Sequence, residues 1–359
     1  MHVAEMELKM NSRGRVLTAL KRGIPDAVPY MYNTMDKELQ EKIIGKEISL
    51  PTETGMNSLG YLSRPGDEAY VSPILTLVPE VADLLGLDAI GIKIFPPLFV
   101  DGGIRDGRAM IKKGLLNTRE ALEKCKMPDP DDDKLYKSIE KLLDVCAGDR
   151  AIYAKIRLGA SSTLMSMDMM GFSYNLHDDP ELVSEVLMMY CSWSQKICRN
   201  LCEMGFDFIW CFDDIAFKTA PMFSPDVLNN IFLPILMKTT SSINKPWVFH
   251  SDGNVIPFLD DLLKLDMDGL HPLEPGAMDL DSLKSKYGSK LCLIGNIDID
   301  KTLTRGTIQD VDNEVRERIC LLGKGGGYII SDSNSVPAYC KAENVIAMSN
   351  AVSKYRYIY

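Results

Sequence analysis

A closed α/β barrel of the TIM type, eight parallel strands each followed by a helix in a (β/α)8 order, is the fold this sequence predicts, on three observations. Short β-branched or aromatic runs alternate with long amphipathic segments. From Phe206 onward one helix separates each strand from the next, as a parallel sheet requires. The 359 residues, 46% hydrophobic and 25% charged, supply a large core, and such barrels run to about 250 residues and beyond as one unit. The alternative is a doubly wound open sheet, because periodicity does not distinguish closure from a free edge.

In chain order, residues 1–27 read as an N-terminal helical extension and 28–33 as the first strand. Residues 35–79, interrupted by Pro51, Gly55, Gly60, Pro65 and Gly66, read as an irregular insertion after it. The remaining strands are 89–94, 152–157, 208–212, 247–252, 269–273, 291–297 and 328–332. A helix over 179–204 opens on Asp179-Pro180 and stops at Gly205. Another over 310–322 closes at Gly323. The prolines and acids of 127–133 mark a solvated connector. Gly325-Gly326-Gly327 precedes a strand instead of joining a strand to a helix, so it reads as a tight connection and not a phosphate loop. The chain, 1–359, is read as a single domain.

Forty Lys plus Arg against fifty Asp plus Glu give a formal charge of −10, with no basic block to track a phosphate backbone. No apolar run approaches the roughly 20 residues of a membrane span, and 1–14 is polar, unlike a secretory signal. A cytoplasmic protein that binds neither nucleic acid nor membrane is expected. Nine cysteines, an odd number without a C-x-x-C pair, include Cys191, Cys198 and Cys202 at helical spacing, which reads as reduced, mostly buried thiols.

Reactive groups of a parallel barrel sit where strands end and βα loops begin. Those ends carry Asn33, Arg157, Asp213 with Asp214, His250 with Asp252, His271 with Glu274, Asn296 with Asp298, and Asp332 with Asn334. Residues i and i+2 on a strand face the same way, so His250 and Asp252 meet one ligand together, as a metal site or an acid/base pair. The competing reading is a packed histidine with Asp252 as a helix cap. Asp213 and Asp214 point to opposite sides of the chain, so one faces the mouth, and the sequence does not choose between them. Two prolines stiffen the loop that carries Glu274, fixing the carboxylate as a ligand, a proton donor or a turn cap. Met165, Met167, Met169 and Met170, with Phe172 and Tyr174, either pack in the core or line a pocket for a bulky apolar ligand.

The motifs resemble those of the uroporphyrinogen decarboxylase superfamily, which includes the decarboxylase and corrinoid-dependent methyltransferases. The resemblance covers nearly the whole chain. It rests on Arg13-x-Arg15-Val16 with Asp26-x-Val28-Pro29, on His250-Ser251-Asp252-Gly253-Asn254, and on Leu273-Glu274-Pro275-Gly276-Ala277-Met278-Asp279 with Lys284 and Tyr287-Gly288. Gly295-Asn296-Ile297-Asp298, Gly325-Gly326-Gly327-Tyr328-Ile329 and Glu343-Asn344 extend it. The decarboxylase holds its polyacidic substrate with an arginine-bearing N-terminal segment, but Tyr30-Met31-Tyr32-Asn33-Thr34-Met35 carries no arginine. Thiol-methylating members bind zinc through a His-x-Cys pair and a late cysteine. Here His250 matches, and Asp252 and Asn334 stand where the thiols would be, a harder donor set that weakens the thiol-acceptor reading.

The resemblance therefore implies a methyltransferase of the O-demethylase type. It would move methyl from a methoxylated, aromatic donor to the Co(I) of a separate corrinoid protein. The expected catalytic residues are His250, Asp252, Glu274 and Asp213 or Asp214, with His250 and Asp252 as ligands for zinc. Tyr32, Asn33, Arg157, Met165, Met167, Tyr174 and Asn334 are expected to hold the substrate. The alternatives are a methylcobamide:thiol methyltransferase, a decarboxylase-like lyase and a non-catalytic binding barrel, each as a monomer or homodimer.

Overall fold

Strands form where apolar side chains alternate toward two separate cores. A computed structural model describes residues 9–105 and 107–358. In chain order the strands are β1 (Leu62–Ser63), β2 (Ile74–Leu75), β3 (Ala89–Lys93), β4 (Leu98–Arg105), β5 (Arg108–Gly114), β6 (Ala151–Ile156), β7 (Phe208–Phe212), β8 (Trp247–His250), β9 (Gly269–His271), β10 (Cys292–Ile294) and β11 (Tyr328–Ile329). β3 and β6 to β11 pair successively and in parallel. The predicted first strand closes the ring. Tyr30 bridges Ile330 beyond β11, while the Tyr30 carbonyl accepts from the Asp88 amide, ahead of β3, at 2.7 Å. The curled parallel sheet is the predicted barrel.

Inside the barrel, Ala151, Tyr153, Phe208, Trp210, Val248, Cys292 and Ile329 form one buried cluster, plugged from below by Val16, Ala19 and Leu20 of α1 (Ser12–Leu20). A second, larger cluster lies between the strands and the surrounding helices. Tyr153 is admitted only because residue 91 is glycine, where an added Cβ would stand 2.1 Å from the Tyr153 ring. Of the extension predicted over 1–27, residues 1–8 lie outside the described residues.

The stretch 35–79 is more ordered than expected. It holds α2 (Lys37–Ile44), whose Leu39 and Ile43 face the outer core, and β2, which runs antiparallel to β3. Beyond it, β4 and β5 form a hairpin, and with β1 a three-stranded sheet, that the sequence pattern does not predict. The nine cysteines are unpaired, seven of them buried. Among the described residues, no helix is long and apolar enough to cross a membrane.

A buried ion network ties the chain ends to the bottom of the barrel. Asp88, 1% exposed, accepts from Arg15 at 3.3 Å, from Arg356, and from the Tyr30 amide at 2.9 Å. Arg15 also donates to Asp26 at 2.6 Å, and Arg356 to the Val28 carbonyl at 3.0 Å. Removing one partner of such a network strands the others without counter-charge. Asp88→Ala is expected to lower unfolding free energy by about 3–5 kcal/mol, and Asp88→Asn by less, since the amide oxygen still accepts from Tyr30. Urea denaturation of the purified proteins measures both.

Candidate active site at the barrel mouth

Along each strand the inward positions change from apolar to polar toward the C-terminal end. Tyr153, Lys155 and Arg157 share a face of β6 and its extension, as do Trp210 and Phe212 on β7. Register sets Phe212, His250 and His271 side by side on three adjacent strands. The Phe212 ring stacks on His250 with centroids 3.5 Å apart, and Trp210 meets His271 edge-on at 4.8 Å. Above them opens a cavity of about 490 Å³ lined by Lys155, Arg157, Phe212, Asp214, Asp252 and Glu274, among others.

The two histidines form a chain whose direction follows from its last acceptor. The Asp332 carbonyl only accepts, so His271 Nε2 donates to it at 3.2 Å. Burial, before any other cause, holds both imidazoles well below their usual range and hence neutral. Neutral His271 then keeps a lone pair on Nδ1, into which His250 Nδ1 donates at 2.6 Å. His250 is left with its lone pair on Nε2.

That lone pair faces two carboxylates. Nε2 lies 3.6 Å from Asp214 Oδ1 and 3.6 Å from Asp252 Oδ1, and the three atoms fall within 4.8 Å of one another. Buried His250 Nε2 and Asp252 Oδ1 have no hydrogen-bond partner among the described residues. Three converging acceptors, two of them without a donor, call for a proton or a cation between them, and one nitrogen with two carboxylate oxygens fits a divalent ion such as zinc. Burial raises Asp214 to about 6 and holds Asp252 well above the usual carboxylate range, with Asp214 itself the next cause for Asp252.

The loops hold these acids in place. The Asp252 amide donates to Asp214 Oδ1 at 2.9 Å, and Asn334 Nδ2 donates to Asp252 Oδ2. Asn334 thus orients a carboxylate, and Asp214 is the third member of the group that could hold a cation. Asp213, the other member of the pair, instead accepts from the amides of Gly159, Ala160 and Ser161 and from the Ser161 hydroxyl, at 2.9 to 3.1 Å. It anchors the start of the helix Ala160–Asp178 and does not line the cavity. Glu274 lines it, accepting from the Gly253 amide at 2.7 Å, with Lys218 3.7 Å away.

Of the expected substrate-holding residues, Arg157, Met165 and Asn334 line the cavity, whereas Tyr32, Asn33, Met167 and Tyr174 do not. Tyr32 lies on the outward face of the first strand, its hydroxyl 3.0 Å from that of Tyr30. Asn33 is fully buried below the mouth. On the helix, Met167 is turned into the outer core, and Tyr174, 65% exposed, faces solvent. Helical rotation, nearly opposite between Met165 and Met167, separates them. Lys155 and Phe212 line the cavity without having been singled out by sequence, although Lys155 shares the parity of Arg157 in a visibly alternating strand.

A family model for uroporphyrinogen decarboxylase matches residues 100–355. The chain belongs to the uroporphyrinogen decarboxylase family. Its fold is similar to that of a methyltransferase from Methanosarcina mazei, with 18% identity and a TM-score of 0.70 over 96% of this chain and 99% of the other. A B12-independent methionine synthase from Shewanella sp. W3-18-1 matches more weakly, at 13% identity and a TM-score of 0.40 over 69% of this chain and 67% of the other. No curated protein matches the sequence. In this member of the uroporphyrinogen decarboxylase family, the segment after Pro29 turns buried tyrosines and methionines inward and outward and brings no cation to the mouth.

The two neighbouring acids differ in what their removal should do: Asp213 is a structural acceptor, whereas Asp214 is a carboxyl that burial disfavours. Asp213→Ala leaves three amide donors unpaired and is expected to cost about 2–4 kcal/mol by urea denaturation, whereas Asp214→Ala is expected not to destabilise at neutral pH and, where titration finds zinc binding by the parent, to abolish it. A raised carboxyl stabilises the fold below its unfolded value and loses that contribution as pH rises through its folded value. Without cation, the melting temperature of Asp214→Asn is therefore expected to gain on the parent from about pH 4 to about pH 7. Added zinc stabilises the parent at the upper end, where the protons have left, and not at the lower.

Proposed function

We propose that the protein is the substrate-side methyltransferase of a corrinoid system, transferring methyl from a methoxylated aromatic donor to the Co(I) of a separate corrinoid protein. The observation that carries this reading is the His250 lone pair beside Asp214 and Asp252, a nitrogen and oxygen donor set at an open mouth. Family membership and a fold shared with the Methanosarcina methyltransferase support it.

In the transfer, the methyl carbon–oxygen bond breaks with its electron pair left on oxygen, and the two electrons of Co(I) form the carbon–cobalt bond. A divalent cation held by His250, Asp252 and Asp214 would supply Lewis acidity toward the departing oxygen. His271 keeps the His250 lone pair directed, and Asn334 with the Asp252 amide keeps both carboxylates in position. The oxygen takes up a proton from water at the open mouth, beside Glu274 on the cavity wall. Phe95, Phe212 and Met165 give the donor ring an apolar wall. The absence of an arginine after Pro29 disfavours a polycarboxylate tetrapyrrole, and oxygen in place of sulfur around His250 disfavours a thiol acceptor.

Incubating the purified chain with Co(I) cobalamin and a panel of methoxyarenes is expected to produce the absorbance change of methyl-Co(III) with at least one donor. His250→Ala and Asp252→Ala should lower the rate by about 100-fold or more. No change with any donor would reject the reading, and ligand binding without methyl transfer would assign a binding barrel instead.

A further inference from the structure

The charges lining the cavity do not cancel locally. Asp36 is paired with Arg108, Glu53 with Lys93, Asp300 with Arg305, and Glu274 lies near Lys218. Asp298 accepts from the amides of Asp300 and Lys301. On the acidic side this leaves Asp214 and Asp252, already assigned to a cation. On the basic side it leaves Lys155 and Arg157.

Lys155 is 2% exposed and Arg157 3% exposed, yet neither has a carboxylate within ion-pair distance among the described residues. Lys155 Nζ lies over the rings of Phe212 at 4.5 Å and Phe95 at 5.8 Å, and Arg157 stacks its guanidinium on Phe95 at 4.2 Å. Ring faces engage the cations without using their N–H edges. Arg157 uses one of those donors, on the Leu59 carbonyl at 2.9 Å, and its buried Nε has no partner. Of the nearby acids, Glu53 is paired with Lys93, Asp213 holds the helix start, and Asp332 accepts through Oδ1 from Ser331 and the Asn33 amide while its Oδ2 has no partner; Asp214, whose charge acts on Arg157, stands beyond ion-pair distance.

We propose that Lys155 and Arg157 form an anion subsite that takes a carboxylate on the methyl donor, making the donor a methoxybenzoate-type acid and not a neutral ether. This rests on the reading above for the methoxy end alone. A buried unpaired cation is costly, and a ligand carboxylate would supply its missing counter-charge. Burial draws Lys155 down to about 7, a shift that such a ligand would reverse. Phe212 touches both His250 and Lys155, so the two subsites stand one ring apart. A donor with its ether at one end and its carboxylate at the other spans that arrangement.

Calorimetric titration of the purified full-length protein tests the subsite with benzoate, 4-methoxybenzoate and the neutral 4-methoxybenzyl alcohol. Both acids are expected to bind competitively, and Lys155→Met or Arg157→Met should weaken them at least about tenfold more than they weaken the alcohol. Lys155→Arg should retain acid binding. A melting temperature of Lys155→Met at or above that of the parent confirms that loss of binding is not loss of fold. Benzoate that fails to bind the parent, or binds Lys155→Met equally well, would overturn the proposal. Benzoate has no methyl group to give, so its Lys155-dependent binding without cobalamin methylation from any donor would reject the methyl transfer and keep the subsite. Methylation from neutral ethers alone, unaffected in Lys155→Met, would do the reverse.

Discussion

One lone pair, on His250 Nε2, organises the mouth of this barrel. It exists because the Asp332 carbonyl accepts a hydrogen bond from His271, which in turn accepts one from His250, in a site dry enough to keep both rings neutral. Were either ring free to turn or to charge, Nε2 would present a proton to Asp214 and Asp252, and the three groups would close into an ordinary hydrogen-bonded cluster. The strands provide the rigidity. Register alone places Phe212, His250 and His271 abreast, and Phe212 and Trp210 leave the imidazoles little room to rotate.

A parallel barrel can hold such a site only at one end. Its interior is sealed below by α1 and filled by Tyr153, Phe208 and Trp210, so any polar side chain pointing inward must lie near the mouth or lose its hydration. The cavity resolves most of its charges in pairs between loop and strand, as with Glu53 and Lys93. What remains is polarised, two carboxylates on the side of β7 and β8 and two cations from β6. Two buried cations without an ion-pair partner, facing carboxylates that are only partly buried, are not explained by stability, because apolar side chains in their place would stabilise the fold. On the proposed reading, a ligand carboxylate completes them.

Much of this was legible in the sequence. Apolar runs located all eight barrel strands, and the i, i+2 relation of His250 to Asp252 brought them to one point. The adjacent acids Asp213 and Asp214 had to diverge, but which faced inward depends on the register of β7 against β8, which one chain segment does not encode. Asp214 as the third partner of His250 is likewise a contact between strands. The hairpin of β4 and β5 is hidden in the sequence because much of it is exposed on both faces and carries Gly102, Gly103 and Gly107, so no two-residue apolar rhythm marks it. α2 does have an amphipathic pattern, obscured by the prolines and glycines that follow it. Lys155 is obscured for a different reason: a lysine within an apolar strand looks like an interruption until its parity with Tyr153 and Arg157 is followed around the barrel.

The donor atoms around His250 bear on the direction of the chemistry. A thiol acceptor must be held as a nucleophilic thiolate, which thiolate-rich zinc tolerates because soft ligands moderate the charge of the ion. A departing ether oxygen makes the opposite demand: it gains negative charge as the bond breaks and benefits from the most strongly polarising centre available. Replacing sulfur by the carboxylates of Asp214 and Asp252 keeps the formal charge of the ligand set while donating less covalent electron density into the ion. Asn334 reinforces this by drawing on Asp252 Oδ2, which leaves Oδ1 to face the imidazole. On the proposed reading, the same fold serves either half of a methyl relay, and the donor atoms at the end of β8, more than the barrel itself, set which oxygen or sulfur it handles.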